Sequence, residues 1–146
     1  MRHITTEGLD LIRKFESFSP TMYICPAGYL TIGYGHLVRK ADQTQFAGGI
    51  DEPKALQILE QDIQIAEKAV LRLISVPLAD GQFDALVSFT FNLGAGALQR
   101  STLRQKVNRK EDIEVPAEFM KWIWARNRKL KGLIRRRSAE ALLYQS

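Results

Sequence analysis

The segment from Asp80 to Leu93 constrains the fold of this chain more than any other. Apolar residues occupy nearly every side of a helix drawn through it, and such a helix is usually the buried centre of a helical lobe. A chain of 146 residues can close one sizeable core around this helix, but it is too short for two independent domains and a linker. Apolar residues make up 45% of the chain and charged residues 25%, which excludes a disordered or collagen-like protein.

The start of the chain predicts one helix and a small sheet. Thr5 or Thr6 can cap the helix, and the proline-containing stretch 17–20 ends it. Residues 21–38 are mostly aromatic or β-branched and are punctuated by glycines. This pattern predicts a small antiparallel sheet with tight turns, followed by a polar loop over residues 39–50.

A long helix is predicted to follow the loop. Asp51, Glu52 and Pro53 provide a capping residue, an acid and a proline, which is the order typical of a helix start. Apolar residues then recur every three or four positions, and Pro77 ends the pattern. The helix therefore has roughly twenty residues, long enough to connect two lobes. Beyond the apolar helix, which Gly94-Ala95-Gly96 closes, amphipathic helices are predicted near residues 101–108, 116–125 and 133–145.

These elements together predict an α+β fold in a single domain of two lobes. The small N-terminal lobe, approximately residues 1–50, carries the short antiparallel sheet. The helix over residues 52–75 links it to a C-terminal helical lobe of residues 76–146.

No segment is predicted to cross a membrane or to direct secretion. The longest stretch without a charged side chain, residues 17–38, holds too many prolines and glycines for a spanning helix. Residues 1–7 lack the apolar core of a secretory signal. The single cysteine, Cys25, excludes an intramolecular disulfide framework and fits a reducing compartment. We therefore expect the chain to stay in the cytoplasm of the cell that makes it until something else releases it.

Positive charge is concentrated towards the C-terminus. Residues 118–146 hold eight basic and two acidic residues, whereas residues 1–117 hold 13 basic and 14 acidic residues. Such a block suits an anionic partner such as a phosphate backbone, an anionic lipid or an acidic cell-wall polymer. It is equally compatible with a solvated helix face. No metal-ligand spacing, phosphate-binding glycine loop or nucleotide motif is present, so no cofactor or metal is expected.

Glu16 is the first candidate for chemistry. It shares a helix face with Leu9 and Ile12, where burying a charged carboxylate costs free energy, and it lies at the negative end of the helix dipole. Both effects favour the protonated acid, which is the state that a general acid needs. A glutamate whose stem packs while its head reaches water or an arginine would fit the same position. Cys25 and Thr31, nine and fifteen residues further on, are weak signals by themselves.

Several motifs in order along the chain strengthen this interpretation. Near the N-terminus they are KFESF at 14–18, YICPAG at 23–28 and TIGYGH at 31–36; downstream they are QFDALVSF at 82–89, FNLG at 91–94, and GLIRRR at 132–137 with Glu140. Read together, they resemble the phage-type lysozymes, the glycoside hydrolase family 24 muramidases. The resemblance covers nearly the whole chain, and the ordered set is specific where no single piece is.

The resemblance implies a lysozyme-like fold with the active site in a cleft between the lobes, and a peptidoglycan substrate. The bond cleaved would be the β-1,4 bond between N-acetylmuramic acid and N-acetylglucosamine. Glu16 would protonate the leaving oxygen, Cys25 would activate water or stabilise positive charge at the anomeric carbon, and Thr31 would orient the water. Such an enzyme would lyse the bacterial host at the end of phage infection.

The resemblance also implies three residues around the catalytic ones. Arg136 would form a salt bridge with Glu16, so Arg136→Ala should alter the pH optimum as well as the stability. His36 and Asn92 would lie at the cleft as candidates for sugar binding. A histidine at a strand end is also commonly bonded to a carboxylate, which would give His36 a structural role.

The role of Cys25 leaves the mechanism open. Many members of the family carry aspartate at this position, and cysteine is the minority variant. An ordinary thiol is mostly protonated at neutral pH, and only the thiolate is a good base or nucleophile. Inversion with water is the first choice and a thiolate adduct the second. A lytic transglycosylase, which needs one glutamate and uses the muramic 6-hydroxyl in place of water, is the rival within the enzyme class.

The basic tail supports two readings from other classes. Residues 126–146 combine cationic and apolar parts as surface-active helices do, so the chain could act on membranes, or the tail could help an enzyme reach the wall through an anionic outer membrane. Nucleic-acid binding through Arg135 to Arg137 is the least favoured, since no recognised binding fold accompanies the charge. We expect a monomer, and the resemblance implies a holin-type, membrane-hole-forming partner for release from the host cytoplasm to the cell wall.

Overall fold

The computed structural model describes residues 1–146 and contains eight α-helices and two small antiparallel sheets. The helices are α1 (Thr6–Glu16), α2 (Gln43–Phe46), α3 (Glu52–Leu73), α4 (Asp80–Leu93), α5 (Ala95–Arg100), α6 (Thr102–Asn108), α7 (Val115–Phe119) and α8 (Lys131–Gln145). The first sheet has the order β1 (Ser19–Ile24), β2 (Leu30–Gly33) and β3 (His36–Leu37), and the second is a hairpin of β4 (Trp124–Ala125) and β5 (Arg128–Lys129). The architecture is α+β, as the sequence predicts.

Helix α4 forms the centre of the protein. Every residue from Phe83 to Thr90 is buried, and the helix packs against α1, α3, α5 and α8. A helix that is apolar on nearly every side needs neighbours on every side, and these four helices provide them. The prediction of a buried central helix is confirmed.

The start of α1 is fastened to α4. The Thr5 backbone N–H donates to Asp84 Oδ1 at 3.0 Å, and the Thr5 hydroxyl donates to Asp84 Oδ2. Gly8 lies against the same carboxylate, where a Cβ atom would approach Asp84 Cγ to 2.7 Å. This close contact fixes the direction of α1 and therefore the position of its last residue, Glu16.

The first sheet begins two residues earlier than the sequence predicts. Strand β1 includes Pro20, which an edge strand tolerates because an N–H on its outer side has no partner in the sheet. The Pro20 carbonyl instead accepts from the Ile50 N–H at 2.9 Å. Strand β1 pairs with β2 so that Tyr23 lies opposite Thr31. The turn after β1 therefore carries Cys25 next to Thr31.

Two hydrophobic clusters flank α3. The larger one holds 21 buried residues, most of them on α3, α4 and the later helices, and the smaller one consists of Ile32, Val38 and Phe46. Helix α3 packs against both β2 and α4. We interpret the smaller cluster as the core of an N-terminal lobe of about residues 1–50 and the larger one as that of a C-terminal lobe, residues 76–146, joined by residues 52–75.

Three helix predictions need correction. The predicted polar loop 39–50 contains α2, because Phe46 is buried. Gly94, at φ +93, ends α4 as predicted, but Ala95 and Gly96 are not part of the break, because they form the first turn of α5. The predicted helix 116–125 ends at Phe119, and the hairpin of β4 and β5 follows.

None of the helices combines the length and apolar character needed to span a bilayer.

Candidate active site

Glu16 lies at the C-terminal end of α1, with its side chain 15% exposed. Its Oε2 accepts a hydrogen bond from Arg136 Nη1 at 2.5 Å. On the other side is Gly35, at φ +74, where a Cβ atom would lie 2.5 Å from Glu16 Oε1. A side chain at position 35 would therefore push the carboxylate away, and glycine is also the residue best suited to that backbone angle.

Arg136 also belongs to a buried cluster of charged residues. Arg136 Nε lies 3.3 Å from Glu140 Oε2, and the Ser88 hydroxyl donates to the same oxygen at 2.5 Å. Arg137 Nε lies 3.0 Å from Glu140 Oε1. Burial raises the pKa of Glu140, and the two guanidinium groups oppose that shift. Burial also lowers the pKa of Arg137 to about 10. Arg136 is thus shared between an accessible carboxylate and a fully buried one.

Two hydrogen bonds to the Tyr29 carbonyl organise the turn that carries Cys25. The Cys25 N–H donates to this oxygen at 2.9 Å, and so does the Thr31 hydroxyl, also at 2.9 Å. The Gly28 N–H donates back to the Cys25 carbonyl at 2.8 Å. Thr31 is buried, with 2% of its surface exposed. In this geometry Thr31 fastens the turn through the Tyr29 carbonyl.

Cys25 is a half-buried thiol whose surroundings favour the thiolate. Burial by itself would raise its pKa, but hydrogen bonds outweigh burial, and the pKa of the Cys25 thiol lies below its usual value. They come from the backbone of Tyr29, the Thr31 hydroxyl, and the backbone of Ala27 and Gly28. The thiolate is therefore available at a lower pH than in an unstructured chain.

Tyr23 is a functional candidate that the sequence analysis did not single out. Burial raises the pKa of its phenol, and the negative charges of Glu16 and Cys25 raise it further. Tyr23 lies opposite Thr31 in the sheet and two residues before Cys25, which places it beside the Cys25 turn. The alternation of β1 is the only sequence signal for it, since Tyr23 lies two residues before Cys25.

The two candidates for sugar binding both have partners within the protein. His36 Nδ1 lies 2.7 Å from Asp62 Oδ2, with the ring packed edge-on against Phe46. This is the carboxylate-bonded arrangement that would give the histidine a structural role. The Asn92 Oδ1 accepts from Arg137 Nη2, which leaves the amide N–H groups of Asn92 free to donate elsewhere.

The sequence of this chain is similar to those of known proteins over nearly its whole length. Residues 13–140 match the family model described as "Phage lysozyme". The chain belongs to the phage lysozyme family. This phage lysozyme is 38% identical over 148 residues to the endolysin of Acyrthosiphon pisum secondary endosymbiont phage 1, with 99% of each chain covered.

Solved structures give the same result for the fold. The muramidase domain of SpmX from Asticcacaulis excentricus superposes with a TM-score of 0.83 at 32% identity, covering 99% of both chains. A mutant of P22 lysozyme superposes with a TM-score of 0.79 at 28% identity, covering 100% of both chains. The lysozyme-like fold is confirmed. The phage lysozyme is a muramidase-type glycoside hydrolase, a lytic enzyme that degrades peptidoglycan in the bacterial cell wall.

Proposed function

We propose that this phage lysozyme cleaves the β-1,4 bond between N-acetylmuramic acid and N-acetylglucosamine, with Glu16 as general acid. One observation carries the proposal: the partly exposed Glu16 carboxylate lies at the end of α1, where Arg136 Nη1 donates to it at 2.5 Å and Gly35 leaves room for it. The accessible acid would donate its proton to the glycosidic oxygen as the bond from C1 to that oxygen breaks. Arg136 would be the positioning residue that holds the carboxylate.

Cys25 would act on the water that completes the reaction. The water oxygen would add to the anomeric carbon while one water proton passes to the Cys25 thiolate, which gives inversion. The lowered pKa of Cys25 supports this role, because more thiolate is present near neutral pH. Thr31 would orient the water while it fastens the Cys25 turn. His36 and Asn92 would bind the sugar chain from the rim of the cleft.

Mass analysis of fragments released from purified peptidoglycan tests the proposal, with Glu16→Gln run beside the parent enzyme. We expect muropeptides with new reducing ends from the parent and none from the variant. Anhydro-muramic ends would instead identify a lytic transglycosylase, in which Cys25 is a bystander. Fragments released equally by the variant would contradict the role of Glu16.

The basic tail has less free charge than its sequence indicates. Arg136 and Arg137 are 3% and 0% exposed and face acidic partners inside the protein, so they cannot contact an anionic surface. Binding of an outer membrane would fall to exposed cations such as Lys131 and Arg135. Membrane leakage that persists in Glu16→Gln would reveal such an activity. The holin-type release partner and the monomeric state stay predictions of the family resemblance.

A further inference from the structure

An arginine occupies a backbone position in the β4–β5 hairpin that rarely suits it. Arg126 and Asn127 form the two-residue turn, with Ala125 paired to Arg128, and their φ angles are +52° and +64°. Asparagine and glycine adopt this left-handed conformation readily, whereas arginine does so at a steric cost. A side chain kept at a strained turn position suggests a function for that side chain.

The Arg126 side chain reaches the turn that carries Cys25. Its guanidinium lies against Gly28 so closely that a Cβ atom there would overlap Nη2 and lie 2.7 Å from Cζ and 2.9 Å from Nε. Gly28 is two positions beyond Pro26 and closes the hydrogen-bonded turn back to Cys25. A group from the C-terminal part of the chain therefore lies next to the catalytic turn of the N-terminal part.

The Arg126 charge has no partner within the protein. The ion pairs of the chain involve other residues, and Arg126 forms none with aspartate or glutamate. Its side chain belongs to an exposed hairpin that also presents Trp124, 56% exposed. An unpaired guanidinium is a planar fork of donors that matches a carboxylate in two hydrogen bonds. A carboxylate partner for this guanidinium would therefore come from outside the protein.

We propose that Arg126 is a specificity-determining residue that binds a free carboxylate of the peptide stem on N-acetylmuramic acid. This inference rests on the proposed function, because it takes the glycan to lie along the Glu16 and Cys25 site. The peptide stems of peptidoglycan carry free carboxylates, and neutral chitin-like glycans do not. The arginine would therefore favour stem-bearing strands over neutral ones of the same sugar backbone.

The test compares soluble, un-cross-linked peptidoglycan strands before and after their carboxylates are converted to amides with carbodiimide and ammonia. The readout is the ratio of kcat/KM on the acidic strands to kcat/KM on the amidated strands, measured from new reducing ends. Arg126→Gln should lower this ratio about tenfold, the loss expected for a charge-assisted pair. The ratio for Arg126→Lys should lie between the ratios of the parent and of Arg126→Gln, since an ammonium keeps the charge but not the planar fork of donors.

Arg128→Gln is the matched control, because Arg128 is exposed on the same hairpin and the variant loses the same unit of charge. Its ratio should stay within about twofold of the parent. Arg126→Gly separates recognition from folding: it suits the turn backbone, so the thermal midpoint should not fall, yet the ratio should drop as in Arg126→Gln.

Three results would overturn the inference. An equal loss on both substrates would mean that Arg126 only shapes the Cys25 turn. An equal gain would mean that it obstructs the cleft, and an unchanged kcat/KM on each substrate would mean that it binds no carboxylate. In all three cases the proposed function still holds if the parent enzyme releases new reducing ends from the amidated strands. If the parent releases none from either substrate, the proposed function itself is contradicted.

Discussion

At the scale of single residues, the charge of Cys25 is what distinguishes this site from one with two carboxylates. A carboxylate is charged at every pH near neutrality, whereas a thiol is charged only above its pKa. Hydrogen bonds in the turn offset burial and lower the pKa of Cys25. The turn therefore moves the thiol towards the behaviour of a carboxylate.

This difference predicts the pH dependence of the enzyme. If the thiolate activates water, kcat/KM should rise with pH through the lowered pKa of Cys25 and fall as the thiolate is protonated at lower pH. In Cys25→Asp the same rising limb should move several pH units towards acid, because an aspartate loses its proton near pH ~4. Profiles of kcat/KM against pH for the two enzymes measure the shift.

Cys25→Ser is the control for that experiment, since the hydroxyl does not ionise in this range. It should lose about 100-fold or more in kcat, the usual contribution of a general base. Rising limbs at the same pH in the parent and in Cys25→Asp would show that residue 25 is not the group that titrates.

At the scale of elements, α8 places its charges inward rather than on a solvated face. Arg136 and Arg137 lie four and three positions before Glu140, so both can reach its carboxylate, and the helix packs against α4. Glu140 is 0% exposed and is the common partner of both arginines. Such a cluster depends on every member, because removing one leaves the others buried without a counter-charge.

Glu140→Gln should therefore destabilise the protein by roughly 3–5 kcal/mol, although it conserves shape and keeps an acceptor for Ser88. Urea unfolding of the variant and the parent measures the difference in the free energy of unfolding. Leu142→Gln, on the same helix with its side chain 71% exposed, is the control and should change that free energy by less than about 0.5 kcal/mol. A similarly small change in Glu140→Gln would mean that the cluster contributes little to stability.

The elements that the sequence predicts well are those with a strong periodic or capping signal. Helix α3 has a clear start and a repeating apolar pattern, and α4 is apolar on nearly every side; the structure places both within a few residues of the prediction. The β4–β5 hairpin lacks such a signal, because its turn uses arginine and asparagine where glycine would have marked it. One weak signal for the hairpin is the spacing of Trp122 and Trp124, since two residues two positions apart cannot both face the core from one helix. In the structure Trp122 packs on Phe89, whereas Trp124 is exposed.

At the scale of the whole molecule, the site combines local and distant parts of the chain. Glu16, Cys25 and Thr31 are within sixteen residues of each other, so sequence spacing and family resemblance can propose them together. Tyr23 can be assigned to the site only from the register of β1 against β2, and Arg126 only from the packing of the hairpin on Gly28. Those residues become visible only when the fold brings their elements together.

The net charge of +5 affects how the enzyme reaches a polyanionic wall. Long-range attraction between exposed charges is screened over about 8 Å at physiological salt, so the rate of wall lysis should fall as salt is added. Since Arg136 and Arg137 are buried, this dependence should come from exposed cations of the C-terminal region. Replacing Lys129, Lys131 and Arg135 with glutamine should flatten the salt dependence of lysis, measured as turbidity loss of purified walls.

The same triple variant provides its own control on a small substrate. A short soluble glycan fragment meets the cleft without a charged wall around it, so its kcat/KM should differ by less than about twofold between the variant and the parent. Long-range steering changes association with the wall but leaves the chemistry at Glu16 and Cys25 unaffected. A steep salt dependence that survives in the variant would instead assign the attraction to other exposed cations, such as Arg126 and Arg128.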